Sequence, residues 1–201
     1  ILTLFAYFTV PKRHQWIVLL IASYIFYAFS GIKHIVFLLF VTIVTFAAGI
    51  FLGQAKEKKQ KKRILRITLF VLFGMLLFLK YYNFFDFIKI NLILPLGISF
   101  YIFQSVGYVI DVYRGKYAPE KNIFKYALFV SFFPQIIQGP ISRYDQLANQ
   151  LCDTHDLDFD QMKYGIQLML WGYFKKLIIA DRAAVLVNNV FDNYANYAGS
   201  I

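Results

Sequence analysis

The sequence predicts an all-α fold, a polytopic transmembrane helical bundle in which some helices are short, broken or re-entrant. Three observations predict it. Hydrophobic residues fill 59% of 201 positions, against roughly 45–50% in soluble domains. The excess is gathered into runs, one of which, Ile35–Leu52, carries eighteen consecutive residues without a charge. The 21 Lys plus Arg, against 11 Asp plus Glu for a net charge of +10, cluster between the runs. That placement fits membrane orientation and anionic headgroups rather than nucleic acid. Positions 1–201 are read as a single membrane domain.

In chain order, Ile1–Val10 is an apolar helix ended by Pro11, with Lys12, Arg13 and His14 as its polar flank. Trp16–Phe29 follows, with Trp16 and Tyr27 placed as interface aromatics. Gly31–His34 reads as a tight loop before the Ile35–Leu52 span. The stretch 54–66 holds Lys56, Lys58, Lys59, Lys61, Lys62, Arg63 and Arg66 and is expected to be a cytoplasmic loop. Ile67–Leu79 continues as a helix and closes on an aromatic belt, Lys80–Phe85.

The bases alternate across these runs. Lys12 and Arg13, the 54–66 stretch, and Arg114, Lys116, Lys121 and Lys125 fall on one side. Gly31–His34 and Asn83–Asn91 fall on the other with one Lys each, Lys33 and Lys89. The alternation follows the positive-inside tendency.

Leu94–Asp145 carries the polar residues that a bilayer tolerates least. Gln104, Asp111, Gln135 and Gln138 lie within or at the ends of apolar runs. An unpartnered buried amide or carboxylate costs several kcal/mol, so such groups face a partner, a cavity or a substrate path. Asp111 and Arg114, at i and i+3, form the natural ion pair, read either as a helix lock or as part of a substrate path. Phe124–Gln138 is interrupted by Pro134 and followed by Gly139-Pro140, so it either spans or re-enters. In the turn that follows, Arg143 is placed to hold an anionic headgroup or a substrate phosphate. The stretch 146–160 reads as an acidic, polar connector, and Gln161–Asn189 as helical, divided by Lys175, Lys176, Asp181 and Arg182. Two elements meet at Ala180-Asp181, or Asp181 caps a helix that begins there.

No catalytic unit stands out. There is no GxSxG, HExxH, phosphate loop or paired-cysteine motif, and Cys152 is single. His14, His34 and His155 read as ordinary solvated residues. The acidic residues 153–160 fail the calcium-loop spacing, so no metal is expected.

Three motifs carry a resemblance: LPLGISFYIFQSVGYVIDVYRG, SFFPQIIQGPISRYDQL and WGYFKKLIIADRAAVLVNNVF. They resemble the membrane-bound O-acyltransferase family, most of all its alginate O-acetyltransferase-like branch. The LPLGISFY and GPI-x-RY segments are also similar to the branch that transfers D-alanine to teichoic acid. The resemblance implies a helical bundle with a tunnel, an activated acyl donor on the cytoplasmic side and an acceptor hydroxyl outside. It implies motif positions Gln104, Asp111, Tyr113, Arg114, Gln138, Gly139, Pro140, Arg143, Tyr144, Lys175, Lys176, Asp181 and Arg182, as scaffold or tunnel lining. The family's catalytic histidine lies in a Trp-His-Gly segment, with a second in Arg-Arg-Trp-His. Trp16 and Trp171 are not followed by His, so no catalytic residue is carried over, and the base is expected downstream of Ile201. Positions 1–201 are expected to be the N-terminal part of a longer acyltransferase.

The function expected is transfer of an acyl group, acetyl by the resemblance, to hydroxyls of a cell-surface polysaccharide such as alginate. A histidine base in a water-poor tunnel suits that chemistry. The expected donor is acetyl-CoA or another activated acyl carrier, with no bound cofactor. The expected partners are membrane lipids and a periplasmic or extracellular acetyltransferase, in a bacterial inner membrane. The rival readings are D-alanyl transfer to teichoic acid and a non-catalytic transporter or lipid-binding scaffold.

Overall fold

A computed structural model describes residues 2–81, 95–137 and 139–192. Among them all regular structure is helical. The chain forms two compact units, Ile1–His155 and Asp156–Ile201.

The first unit opens with α1 (Leu2–Thr9), a 3-10 turn at Lys12–His14 and α2 (Gln15–Phe29). Next come α3 (Ile32–Gln54) and α4 (Lys58–Tyr81), two helices long and apolar enough to cross a membrane. On α3 the buried residues Leu38, Val41, Thr42, Thr45, Ala48, Gly49 and Leu52 recur every three or four positions. They form one stripe facing the core, while Val36, Phe40, Ile43 and Phe51 leave apolar surface on the other side. A helix apolar on both faces suits a bilayer wall better than a water-facing surface.

α5 (Ile98–Tyr113) packs on α3, followed by α6 (Ile123–Ser131), α7 (Phe133–Ile136) and α8 (Tyr144–Cys152). The centre is aromatic: Tyr27, Tyr101, Tyr108, Tyr126 and Phe129 are fully buried. Gly49 permits the close approach of α5, since a Cβ there would stand 2.7 Å from the Tyr108 hydroxyl oxygen. A Cβ on Gly53 would stand 2.6 Å from the Pro119 ring, so the loop after α5 lies at the C-terminal end of α3.

Several boundaries differ from the sequence reading. The basic stretch 54–66 is not a loop: only Ala55–Glu57 connects, and Lys58–Arg66 are the first turns of α4. Lys and Arg are good helix formers, so their charge hid a helix rather than broke one. The connector 146–160 is helical as far as Cys152, because Leu147, Ala148 and Leu151 give α8 a buried edge. Gly31–His34 shrinks to Ser30-Gly31, Gly31 supplying φ 132 before α3 begins at Ile32. His34 is then a buried helical residue, not a solvated one, with Nδ1 3.4 Å from Ser30 Oγ. Tyr27 is no interface aromatic: it is fully buried and donates to the Leu96 carbonyl at 2.9 Å. Phe124–Gln138 is not one span, because α6 has nine residues and α7 four, with a break at Phe132. Nine residues rise only about 14 Å against a core of about 30 Å. Tyr82–Leu94, with the outer half of the aromatic belt and the Asn83–Asn91 loop, lies outside the described residues, as does Gln138.

The second unit is a continuous helical segment: α9 (Phe159–Phe174), a π-helical stretch Lys175–Ala180 and α10 (Asp181–Asp192). Asp158 caps α9, its Oδ1 accepting from the Asp160 and Gln161 amides. The π stretch and α10 meet at Ala180-Asp181, the first of the two sequence readings; Asp181 is itself helical, its amide donating to the Lys176 carbonyl. Its carboxylate meets Lys176 Nζ at 2.9 Å across that stretch. Lys175 stands over the Trp171 ring at 5.5 Å. Among the described residues of this unit's helices, 159–192, no side chain is buried.

Candidate functional site

The polar residues of α5 gather where α6 breaks. Pro134 has no amide hydrogen and its ring collides with the carbonyl four residues back, so the helix through Phe132 cannot continue. An unbroken helix would pair the Phe129 carbonyl with the Phe133 amide. Here they part, and each finds a side chain. Gln104 Nε2 donates to the Phe129 carbonyl at 2.9 Å, and Ser23 Oγ accepts from the Phe133 amide at 3.3 Å. The Ser23 hydroxyl itself donates to the Leu19 carbonyl at 2.7 Å. Gln104 therefore has a structural partner on α6.

Below the break the chain passes close to the start of α5. Gly97 has φ +69, and a Cβ on it would land on the Ile136 carbonyl oxygen. Gly139 lies against Gln135, where a Cβ would stand 2.5 Å from the Gln135 Cα. Gln135 Nε2 donates to Ser142 Oγ at 3.0 Å, fastening the Gly139-Pro140 turn.

At the other end of α5 the residues DVYRGK turn the chain back. Gly115 adopts φ 72, its amide donates to the Val112 carbonyl, and the Lys116 amide donates to the Asp111 carbonyl. This is a Schellman termination. It returns Lys116 to Asp111, so the expected Asp111–Arg114 pair does not form. Lys116 Nζ lies 3.6 Å from Asp111 Oδ2 and 2.6 Å from Asp145 Oδ2, joining α5 to α8. That contact holds the Asp145 carboxyl below its ordinary range. Arg114 points outward, as does Arg143, and Tyr113 is half-buried against the core.

Glu120 organises the loop between. Its Oε1 accepts from the Lys121 and Asn122 amides, each at 2.8 Å, and its Oε2 accepts from the Tyr144 hydroxyl at 2.6 Å. Its own amide donates to the Tyr108 hydroxyl at 3.0 Å. Tyr144 stacks among Tyr108, Tyr117, Tyr126 and Phe129, the ring centroids 4.9–6.3 Å away. Burial, and then the Glu120 carboxylate, hold the Tyr144 phenol above its ordinary range. Burial and the Asp111 and Asp145 charges raise Tyr117 likewise.

Several buried polar atoms have no hydrogen-bond partner among the described residues: Tyr101 and Tyr117 hydroxyls, Ser105 and Ser131 Oγ, Gln135 Oε1 and Asp145 Oδ1. They belong to the same α5–α8 region. Such atoms normally meet water or a ligand. These hydroxyls and amides are distributed along α5 inside an apolar frame. Lys116 is shared between Asp111 and Asp145, and Glu120 accepts from Tyr144 and two backbone amides.

Of the positions expected from sequence, Gln104 meets α6, Asp111 and Tyr144 lie at the C-terminal end of α5 beside Lys116 and Glu120, Tyr113 is half-buried, and Gly139 and Pro140 lie in the turn near the start of α5. Lys175, Lys176, Asp181 and Arg182 belong to the second unit. Glu120, Lys116 and Ser23 escaped sequence reading. The signal for Lys116 was present, since Gly115 after a helical run folds the next residue back onto the last turn. Ser23 had none, because its partner is 110 residues away. Among the described residues no three His, Cys, Asp or Glu side chains converge to hold a metal.

The chain is 34% identical over 186 residues to the probable alginate O-acetylase AlgI of Pseudomonas fluorescens, covering 92% of this chain and 37% of that protein. It is 33% identical over 132 residues to the peptidoglycan O-acetyltransferase of Helicobacter pylori, covering 53% of this chain and 25% of that protein. It is 32% identical over 91 residues to the teichoic acid D-alanyltransferase of Bacillus subtilis, covering 44% of this chain and 23% of that protein. The chain thus spans about two-fifths of the length of the alginate O-acetylases it matches. No family profile and no solved structure matches it.

Proposed function

The chain belongs to the membrane-bound O-acyltransferase family, and from that premise we propose that the protein transfers an acetyl group to hydroxyls of a cell-surface polysaccharide. The observation that carries this reading is the alginate O-acetylase similarity over 92% of the chain. In this reading α5–α8 is framework and path lining, and the transfer base is none of His14, His34 and His155. His34 is enclosed in α3, and His155 is tied by its ring Nε2 to the Gln150 carbonyl at 2.7 Å and by its amide to Gln15 Oε1. An activated acyl carrier such as acetyl-CoA supplies the acetyl group from the cytoplasmic side, where the basic residues face. The protein sits as a multi-pass component of a bacterial inner membrane and works with a periplasmic or extracellular acetyltransferase.

The unpartnered buried hydroxyls and amides along α5 support the reading in one respect. Excluding water protects an activated acyl group, yet the acceptor hydroxyls need donors and acceptors along their route. The shorter D-alanyltransferase match favours a second reading, D-alanine transfer to teichoic acid.

One experiment separates these. The full-length protein is expressed in a bacterium lacking its own copy, and surface polymers are treated with mild base. Released acetate supports the acetylation reading. Released D-alanine replaces it with the second, and release of neither, with the protein present in the membrane, overturns both.

A further inference from the structure

Two cavities in the first unit are walled by the same two helices, α2 and α6. The first, about 420 Å³, brings Arg13, His14 and Lys125 together beside Trp16, Ile17 and Cys152. The second, about 650 Å³, is almost wholly apolar. It runs between α2, α3 and the first turn of α6, past Ile21, Ile25, Leu39, Ile43 and Phe124.

Sequence places the two side by side. Ile17, in the basic cavity, is one turn before Leu20 and Ile21 in the apolar one. Lys125 is the next residue after Phe124, where the apolar groove begins. The groove's wall on α3 belongs to a helix long and apolar enough to span a bilayer. Ile21, Ile25, Leu39, Ile43 and Phe124 are each 41–61% exposed, so the groove is open along that apolar face. Trp16, which lines the basic cavity, is a residue type enriched where a bilayer's polar and apolar zones meet.

The two cavities differ in chemistry in the way a phospholipid does. Arg13 and Lys125 meet no carboxylate among the described residues, and a phosphate is the anion such a pair holds well. An extended apolar groove next to it takes a hydrocarbon chain. We propose that this side of the first unit binds one anionic phospholipid, its phosphate between Arg13 and Lys125 and an acyl chain in the α2–α3–α6 groove. The inference does not depend on the acetylation reading.

The test uses the full-length protein in detergent, with dioleoyl phosphatidylglycerol or dioleoyl phosphatidylcholine added at equal concentration and bound lipid counted by native mass spectrometry. Phosphatidylglycerol is expected to be retained preferentially. Arg13→Gln and Lys125→Gln each weaken its retention about fivefold, and the double variant about thirtyfold. Lys59→Gln with Lys62→Gln, the same charge loss on exposed α4, leaves the preference intact. Ile43→Trp, which fills the groove, lowers retention of both lipids. Equal retention of the two lipids, or an equal effect of the α4 variant, overturns the proposal. So does displacement of the lipid by inorganic phosphate to the same extent in the parent and in Ile43→Trp, which makes the basic cavity a free-phosphate site. A co-purifying protein that excludes lipid from the groove overturns it as well.

Discussion

Gln104 and Phe129 are 25 positions apart, yet the Gln104 amide makes the hydrogen bond that Phe133 would have made to the Phe129 carbonyl. The break at Phe132 is thus completed from two other helices, since Ser23 serves the freed amide. Gln104→Leu leaves a buried carbonyl without a partner and is expected to destabilise the protein by about 1–3 kcal/mol. Ser23→Ala acts on the other half of the same broken bond, so the double variant should depart from additivity by about 0.5 kcal/mol or more. Thermal melting of the four proteins measures both. Strict additivity would mean that the two contacts do not belong to one structural unit.

Gly97 and Gly107 bracket the first part of α5 and should respond oppositely to alanine. Gly97 combines φ +69 with the adjacent Ile136 carbonyl, whereas a Cβ on Gly107 meets nothing within 4 Å. Gly97→Ala is expected to prevent normal assembly of α5 on α7, seen as loss of monodisperse protein. Gly107→Ala, in an exposed helical position, should be neutral or stabilise by up to about 1 kcal/mol. Equal behaviour in melting and gel filtration would refute the packing described.

Lys116 makes stability depend on acid. Its hydrogen bond lowers the Asp145 carboxyl in the folded state, from about 3.9 when unfolded. A lowered folded value gives stability that is complete above the unfolded value and lost as pH falls through the folded one. Lys116→Met should therefore lower the melting temperature slightly at pH 7, where the pair contributes in full, and converge with the parent below about pH 4, so that its acid limb is flatter. Melting curves from pH 2.5 to 7 would show it, and an unchanged acid limb would mean that Asp145 is not the group responsible.

Tyr144→Phe removes the 2.6 Å donor to Glu120 while keeping the ring in its aromatic cluster. Loss of a hydrogen bond to a charged group should destabilise by about 1.5–3 kcal/mol. The effect should be local to the 116–122 loop, whose amides Glu120 also holds. Limited proteolysis should cut that loop faster in Tyr144→Phe than in the parent. In the parent the Tyr144 phenol should not ionise at the ordinary pH of about 10, because burial and the carboxylate both oppose its charge. Ultraviolet titration against Tyr144→Phe tests this.

Much of the fold was legible. The helical membrane class, the span within α3 and the polar residues of α5 all follow from period and composition, which depend only on the chain's own neighbours. The α6–α7 break was visible in Pro134 as two alternatives. The basic helical turns of α4 and the buried edge of α8 were not, because charge density masks helix propensity in sequence.

What the sequence determined by itself is therefore the class of the protein and, at Gln104, a position where a polar group is enclosed. Which groups meet was decided only by tertiary structure. Register along one helix suggested Asp111 with Arg114. The left-handed turn at Gly115 reversed the chain and gave Asp111 to Lys116 instead. Likewise Gln104 announces a buried amide, but its partner exists only because the break at Phe132 parts the Phe129 carbonyl from the Phe133 amide on another helix. A buried polar group must be satisfied, and that requirement is local. The atom that satisfies it depends on how the helices pack, and that is not.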